Sequence, residues 1–336
     1  MHLAQTIRKY LAWCPNSDVR LSRTAPPALA TPPVNTRPDG RAGKPGRING
    51  GIRLATGSIR FLMRNLQLLW FSLLAGLVMI FSLVSGLYLQ FLSGMPLFTG
   101  TTLAAGPAAV IIEQGSLLWI ALTFITSLIS TFLTYYLLAA LIACVSLLHS
   151  GRTAAVRDGL AQAGHYRGPL FRWAAAWALI GTLFSSFMTP SAMTSVPQNL
   201  GLIYSIMAVM ACLYVLTLFV VPLLVLADKD LVTAITGSLS LLRTVWAEVI
   251  VCFVIYIFMA FAVLLTSLVP MIAIAFPSGS ASAAVAVVVA YMLVMLLLIF
   301  IGSTILGITI TGLYFYGKTG TLPAMFDGKQ TGTEYA

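Results

Sequence analysis

Charge is what this sequence has least of: only 8% of its 336 residues are Asp, Glu, Lys or Arg, against about a quarter in an ordinary soluble domain. No acidic, basic or histidine side chain falls near the middle of any of its long apolar runs. A charge at the bilayer centre costs about 2.5 to 3.5 kcal/mol on insertion scales and is kept mainly where ions, protons or voltage are handled. That absence argues against proton pumps, voltage sensors and carboxylate-dependent antiporters. Cysteine is scarce too. Cys14, Cys144, Cys212 and Cys252 include no CxxC pair and no Cys/His cluster at zinc spacing, so neither a disulfide framework nor a structural metal is implied. GxSxG, HExxH and a phosphate-cradling glycine loop are all missing, and with them the signatures of serine hydrolysis, metalloproteolysis and nucleotide binding. The reading is a non-enzymatic protein without a cofactor. The first 50 residues also lack the apolar h-region of a signal peptide, so insertion falls to the first apolar run.

What is present is apolar: 59% of the residues are hydrophobic and the mean hydropathy is +0.95. Six runs, at roughly 66–91, 117–148, 173–188, 201–226, 249–270 and 281–313, meet or approach the ~20 helical residues that span a hydrocarbon core. The third is the shortest and borrows Leu170 and Phe171 from its flank. Backbone groups in lipid must be satisfied within the segment, and no alternating barrel pattern is present, so the spans are helices. The fold class expected is all-α integral membrane. Residues 1–50 form a largely disordered tail rich in Pro and Arg, residues 51–316 a six-helix membrane domain, and residues 317–336 a C-terminal tail. Within the first segment, Leu3, Ile7, Tyr10 and Cys14 keep helical spacing until Pro15 ends it.

Basic residues fix the orientation. Eleven of the nineteen precede the first run, four lie between the second and third, two between the fourth and fifth, and two after the sixth. The other three connections have none. Positive charge is retained in the cytoplasm, so both termini and the loops 149–172 and 227–248 are expected there. The loops 92–116, 189–200 and 271–280 face out, and the location is the cell membrane. Trp70, Trp173 and Trp246 near the inner ends and Trp119 near an outer end fit interfacial belts. The eleven cations before the first run are better matched to anionic lipid head groups, worth about 1 kcal/mol each near the surface, than to nucleic acid. The bilayer is therefore the one partner expected, and no protein partner is named.

The cytoplasmic connections repeat a theme. Leu231, Val232, Ile235, Leu239 and Leu242 make one apolar stripe, with Asp230 placed to cap the helix, which describes a helix lying in the interface. Residues 153–163 read similarly. Thr56-Gly57-Ser58-Ile59 echoes Thr236-Gly237-Ser238-Leu239, and the pattern suggests three units of an interfacial helix followed by two spans.

Polar residues inside the runs are few. In the second run Thr123, Thr126, Ser127, Ser130, Thr131 and Thr134 step by three and four, placing six hydroxyls on one helical face. The leading reading is a tight helix contact, with hydroxyls back-bonded to preceding carbonyls; the alternative is the polar lining of a groove or pore. Ser303, Gly307 and Thr311 form a second small-residue seam. Pro222 should kink the fourth run, as a fixed bend or as a gating hinge. Glu113 is the lone acid of the outward loops, and His149 and His165 flank the basic loop. The leading function is an accessory or membrane-organising protein at the inner leaflet. The alternative is a passive permease for a neutral or amphipathic molecule, resting on the hydroxyl stripe and Pro222.

One set of residues resembles a known family. Leu313-Tyr314-Phe315-Tyr316-Gly317-Lys318-Thr319-Gly320 with Pro323 and Phe326, Val220-Val221-Pro222, Ser238 and Thr244-Val245-Trp246-Ala247-Glu248 are similar to an uncharacterised prokaryotic family of six-span membrane proteins. Val156-Arg157-Asp158-Gly159-Leu160 and Trp173-Ala174-Ala175-Ala176-Trp177-Ala178-Leu179 match it as well. The resemblance covers about residues 51–328. It implies likeness to the membrane domain attached to some glycerophosphodiester phosphodiesterases, without a counterpart of their catalytic domain. Lys9-Tyr10-Leu11-Ala12-Trp13-Cys14-Pro15-Asn16 resembles the opening of small membrane proteins of methanogenic archaea, which implies an archaeal source.

Overall fold

The computed structural model describes residues 47–92, 116–152, 154–187, 196–266 and 281–320. The tail up to residue 46, Glu113 with most of the outward connections and the C-terminal tail beyond residue 320 lie outside the described residues. Those described form helices joined by turns, with no strand among them. In chain order the helices are α1 (Arg47–Arg64), α2 (Leu69–Leu92), α3 (Leu117–His149), α4 (Val156–His165), α5 (Arg167–Phe187), α6 (Val196–Leu216), α7 (Val220–Leu226), α8 (Leu231–Thr266) and α9 (Ala281–Thr319). A 3₁₀ turn, Leu66–Leu68, joins α1 to α2.

Among the described residues five segments are long and apolar enough to cross a membrane: Leu66–Leu89, Leu117–His149, Tyr204–Leu226, Leu231–Phe258 and Leu296–Thr319. The chain is a multi-pass membrane protein by this measure. The third predicted run does form a helix, α5, but Arg167 and Arg172 in its first half leave it short of the apolar length of the other five.

Helix α3 is the hub, packing against α2, α4, α5, α7 and α9. Its C-terminal half buries Ala139, Ala140, Ala143 and Cys144, small residues that admit a close neighbour where lipid gives no hydrophobic drive. Helix α4 uses that space. A Cβ on its Gly159 would stand 2.5 Å from the Ala140 carbonyl oxygen and from Cys144 Sγ, so only glycine permits this approach. The Tyr136 hydroxyl donates to the Leu160 carbonyl at 2.8 Å and Gln67 Nε2 to the Ala154 carbonyl at 3.0 Å, fixing α4 in register. The Asp158 carboxylate accepts the Ala155 N–H at 2.9 Å at its start. At the other end of the bundle, the Ser116 hydroxyl caps α3 by accepting the Trp119 N–H.

Helix α1 inserts against α8 and α9 and buries Leu54, Ala55, Ser58, Phe61 and Leu62. It begins at Arg47, so Gly50, which composition alone assigns to the tail, is part of the bundle. A hydroxyl chain staples this packing: Tyr256 meets Thr309 at 2.8 Å, Thr309 donates to Ser58 at 2.9 Å, and Ser58 donates to the Leu54 carbonyl at 2.8 Å. Helices α2 and α9 cross where the Phe300 ring lies on the backbone of Gly76. In the predicted seam of α9, Gly307 and Thr311 are buried against α3 or within the core, whereas Ser303 is exposed.

Helix α8 departs from expectation in one way. The expected short helix and the fifth run are one continuous element, bent at Val245 where φ is −114° and ψ 20°. The apolar stripe divides, Leu231 and Leu242 packing against the core. Ala234, Ser238, Leu241, Val245 and Val249 are buried, whereas Val232, Ile235 and Leu239 are exposed. Small residues face the neighbouring helix because they allow close approach, and the larger apolar residues are left on the outside.

Candidate functional site

The hydroxyl face of α3 lies against α5. A Cβ on Gly181 of α5 would sit 3.8 Å from Ser127 Oγ, and the Tyr135 and Trp173 rings are 6.2 Å apart further along the same seam. The paired positions advance in opposite directions, so the helices run antiparallel and Thr131 is level with Trp177. Thr126 donates to the Leu122 carbonyl at 2.9 Å and Thr134 to the Ser130 carbonyl at 2.8 Å, the back-bonding expected of a hydroxyl on a packed helix. Thr123 Oγ1 and Ser130 Oγ make no such bond, and neither do the buried indole nitrogens of Trp119 and Trp177. Four buried groups of α3 and α5 able to donate a hydrogen bond are therefore without a partner.

Pro222 sits in α7, three residues after the helix breaks at Thr217, Leu218 and Phe219. A proline at 222 has no N–H for the Leu218 carbonyl, and its ring pushes that carbonyl aside. The ladder shifts accordingly: the Leu218 N–H reaches Val215 and the Val220 N–H reaches Thr217. The Leu216 carbonyl and the Phe219 N–H are thereby released, and Ser238 takes both, donating to the first at 2.7 Å and accepting from the second at 3.2 Å. The helix is interrupted just before Pro222, and a side chain of α8 bonds across the interruption. The adjoining segment Val220, Val221, Leu223, Leu224 and Val225 is buried against α3 and α8.

One end of the bundle gathers the cations. His149 at the end of α3 contacts Phe315 of α9, a Cβ on Gly317 would touch Leu241 and Val245 of α8, and one on Gly237 would touch Leu223 and approach Lys229 Nζ at 3.8 Å. These contacts bring the ends of α3, α7 and α9 together with α4 and the first half of α8. Every lysine and arginine with a described side chain is exposed, on α1, in the turn between α3 and α4, on α4 and the start of α5, on or beside α8, or at the end of α9. Large apolar residues are exposed among them: Ile52, Met63, Leu66 and Trp70 near Arg53, Arg60 and Arg64, and Val232, Leu239 and Trp246 near Arg243. At the same end the Tyr166 phenol hydrogen-bonds Asp228; burial first, and then that carboxylate, raise its pKa above the usual phenol value. Asp228 itself adopts φ +48° as the chain turns from α7 into α8.

Glu248 is the site residue that sequence reasoning missed. Counted with the loop 227–248, it is instead on the inner face of α8 and only 2% exposed, and its Oε2 has no hydrogen-bond partner. The signal was present in its spacing: Leu241, Val245, Glu248 and Cys252 follow one another at helical intervals on a single face. Comparison with protein-family models, with curated proteins and with solved structures finds no match to this chain.

Proposed function

We propose that this is a six-span protein of the cell membrane that acts without chemistry of its own as an accessory or organising protein at the cytoplasmic leaflet. In this reading α5 is the third span and both termini are cytoplasmic. Helices α1, α4 and the first half of α8 then lie at the inner interface, each with one face in the bundle and the other toward head groups. The observation that carries the proposal is the cationic end: the described arginines and lysines are all exposed and interleaved with exposed Trp, Met, Leu and Val. Such a surface suits anionic lipid, since apolar side chains enter the acyl boundary while cations meet phosphates. The resemblance to a six-span prokaryotic family supports the same span count.

The test is lipid retention. Protein extracted in mild detergent is expected to co-purify with anionic phospholipid in excess over its share of the membrane. The variant Arg60→Gln, Arg64→Gln, Arg243→Gln is expected to lose that excess. Retention that mirrors bulk lipid composition in both proteins would remove the basis of the proposal.

A second reading, passive permeation of a neutral molecule, draws on the four unpartnered donors of α3 and α5. It predicts liposome flux of small neutral solutes that collapses when Thr126, Ser130 and Thr134 are replaced by Val. Flux equal to that of empty liposomes sets it aside.

A further inference from the structure

The turn from α1 into α2 and the turn from α3 into α4 are packed together. Gln67 Nε2 donates to the Ala154 carbonyl at 3.0 Å from one turn to the other, and a Cβ on Gly159 of α4 would stand 3.3 Å from the Phe71 ring of α2. Three arginines lie within three residues of that hydrogen bond. Arg64 precedes Gln67 by three, Arg152 precedes Ala154 by two and Arg157 follows it by three. Three residues of chain reach ~11 Å at most, so the three share one small area. All are exposed, and none has an ion-pair partner among the described residues.

Asp158 is the one acid in residues 47–92 and 116–165, and its carboxylate accepts the Ala155 N–H at 2.9 Å. Three cations less one acid leave the junction with two positive charges. Met63, Leu66 and Trp70 beside it are 71%, 62% and 53% exposed, which sets apolar surface directly against the charge. Guanidinium groups meet phosphate oxygens in paired hydrogen bonds, and basic clusters between helices on the cytoplasmic side suit phosphorylated lipid head groups. A lipid with one phosphate neutralises half of the excess. Two phosphates in one molecule neutralise all of it in a single binding event, since the second meets its partner at high effective concentration.

We propose that the junction of the α1–α2 and α3–α4 turns is a binding site for a phospholipid whose head group carries two phosphates, held by Arg64, Arg152 and Arg157 with its acyl chains along Leu66 and Trp70. The proposal rests on the reading of the cationic end as a lipid surface and narrows it to one place and one head-group chemistry.

The experiment uses the full-length protein in mild detergent. Thermal unfolding is followed while cardiolipin or phosphatidylglycerol is added at matched phosphate; the two share phosphodiester and glycerol groups and differ in whether two phosphates sit in one molecule. Both are expected to raise Tm, with cardiolipin half-saturating at a phosphate concentration at least ~10-fold lower. The variant Arg64→Gln, Arg152→Gln, Arg157→Gln is expected to bring the cardiolipin curve onto the phosphatidylglycerol curve. The variant Arg60→Gln, Arg243→Gln, Lys318→Gln removes as many charges elsewhere and is expected to keep the curves apart. Coincident curves in the wild type, a separation that survives the first variant, or one lost equally in the second would overturn the proposal and leave a general anionic-lipid surface standing. No rise with either lipid would overturn both. An equal rise with inorganic pyrophosphate would assign the junction to a soluble anion instead of a lipid.

Discussion

The Ser238 hydroxyl donates to the Leu216 carbonyl at 2.7 Å across the break between α6 and α7. The same oxygen accepts the Phe219 N–H, so one small side chain satisfies both backbone groups that the kink sets free. Ser238→Ala would leave the two bare in a buried position, each costing about 1 to 3 kcal/mol. The expected loss is about 2 kcal/mol or more in detergent unfolding followed by circular dichroism. Pro222→Ala restores an N–H facing Leu218 and is expected to change stability by less than ~1 kcal/mol. Equal losses in the two variants would show that Ser238 does not hold the break.

The α3–α4 contact depends on glycine at 159. A Cβ there meets a backbone oxygen, which cannot rotate away, so Gly159→Ala should cost about 1 to 3 kcal/mol through overpacking. Gly86 of α2 has nothing within 4 Å of its added Cβ, and Gly86→Ala should gain up to ~1 kcal/mol of helix propensity. The opposite signs are read from the two unfolding midpoints.

How far the fold was legible follows from these residues. Apolar length alone marks α2, α3, α9 and the α6–α7 pair, because a bilayer imposes that length whatever the neighbours are. Proline chemistry likewise points to an interruption near 222, though the side chain that bonds across it belongs to a residue sixteen positions further on, supplied by tertiary packing. The echo between Thr56-Gly57-Ser58 and Thr236-Gly237-Ser238 has a physical basis: both serines are fully buried and each bonds a group outside its own helical turn. Illegible was which residues of α8 meet its neighbours: small Ala234 and Ser238 allow the close approach and are buried, whereas the larger Val232, Ile235 and Leu239 stay exposed. Glu248 was hidden by the same habit of treating a charged residue beside a span as solvated.

The hydroxyls of α3 divide by partner. Thr126 and Thr134 bond only their own helix, so replacing either with Val should change stability by no more than ~0.5 kcal/mol. Ser130 carries a buried hydroxyl with no partner, and removing an unmet polar group is neutral or stabilising. Ser130→Ala is therefore expected to keep or raise the unfolding temperature; a marked drop would mean that the hydroxyl is bonded to water or a solute in the working protein.

The pair Tyr166–Asp228 gives a pH signature. Because the phenol pKa is higher in the folded chain than in the unfolded one, the folded state holds that proton more tightly. Its contribution to stability is complete below about pH 10, the ordinary phenol value, and is lost as pH rises through the folded value. Tyr166→Phe should flatten the alkaline limb of stability against pH and leave the acid limb unchanged. Superimposable alkaline limbs in the two proteins would count against this bond.

Everything proposed for the cationic end requires that α5 cross the membrane, since five spans would put the termini on opposite sides and six put them on one. Single cysteines at Arg157, Ser191 and Lys318, in a background without the four native cysteines, report this through labelling of intact cells with an impermeant maleimide. Cys substituted at Ser191 is predicted to label from outside, and those at Arg157 and Lys318 only after permeabilisation. Labelling of Ser191 on the same side as Arg157 would contradict the six-span arrangement and the single cationic face built on it.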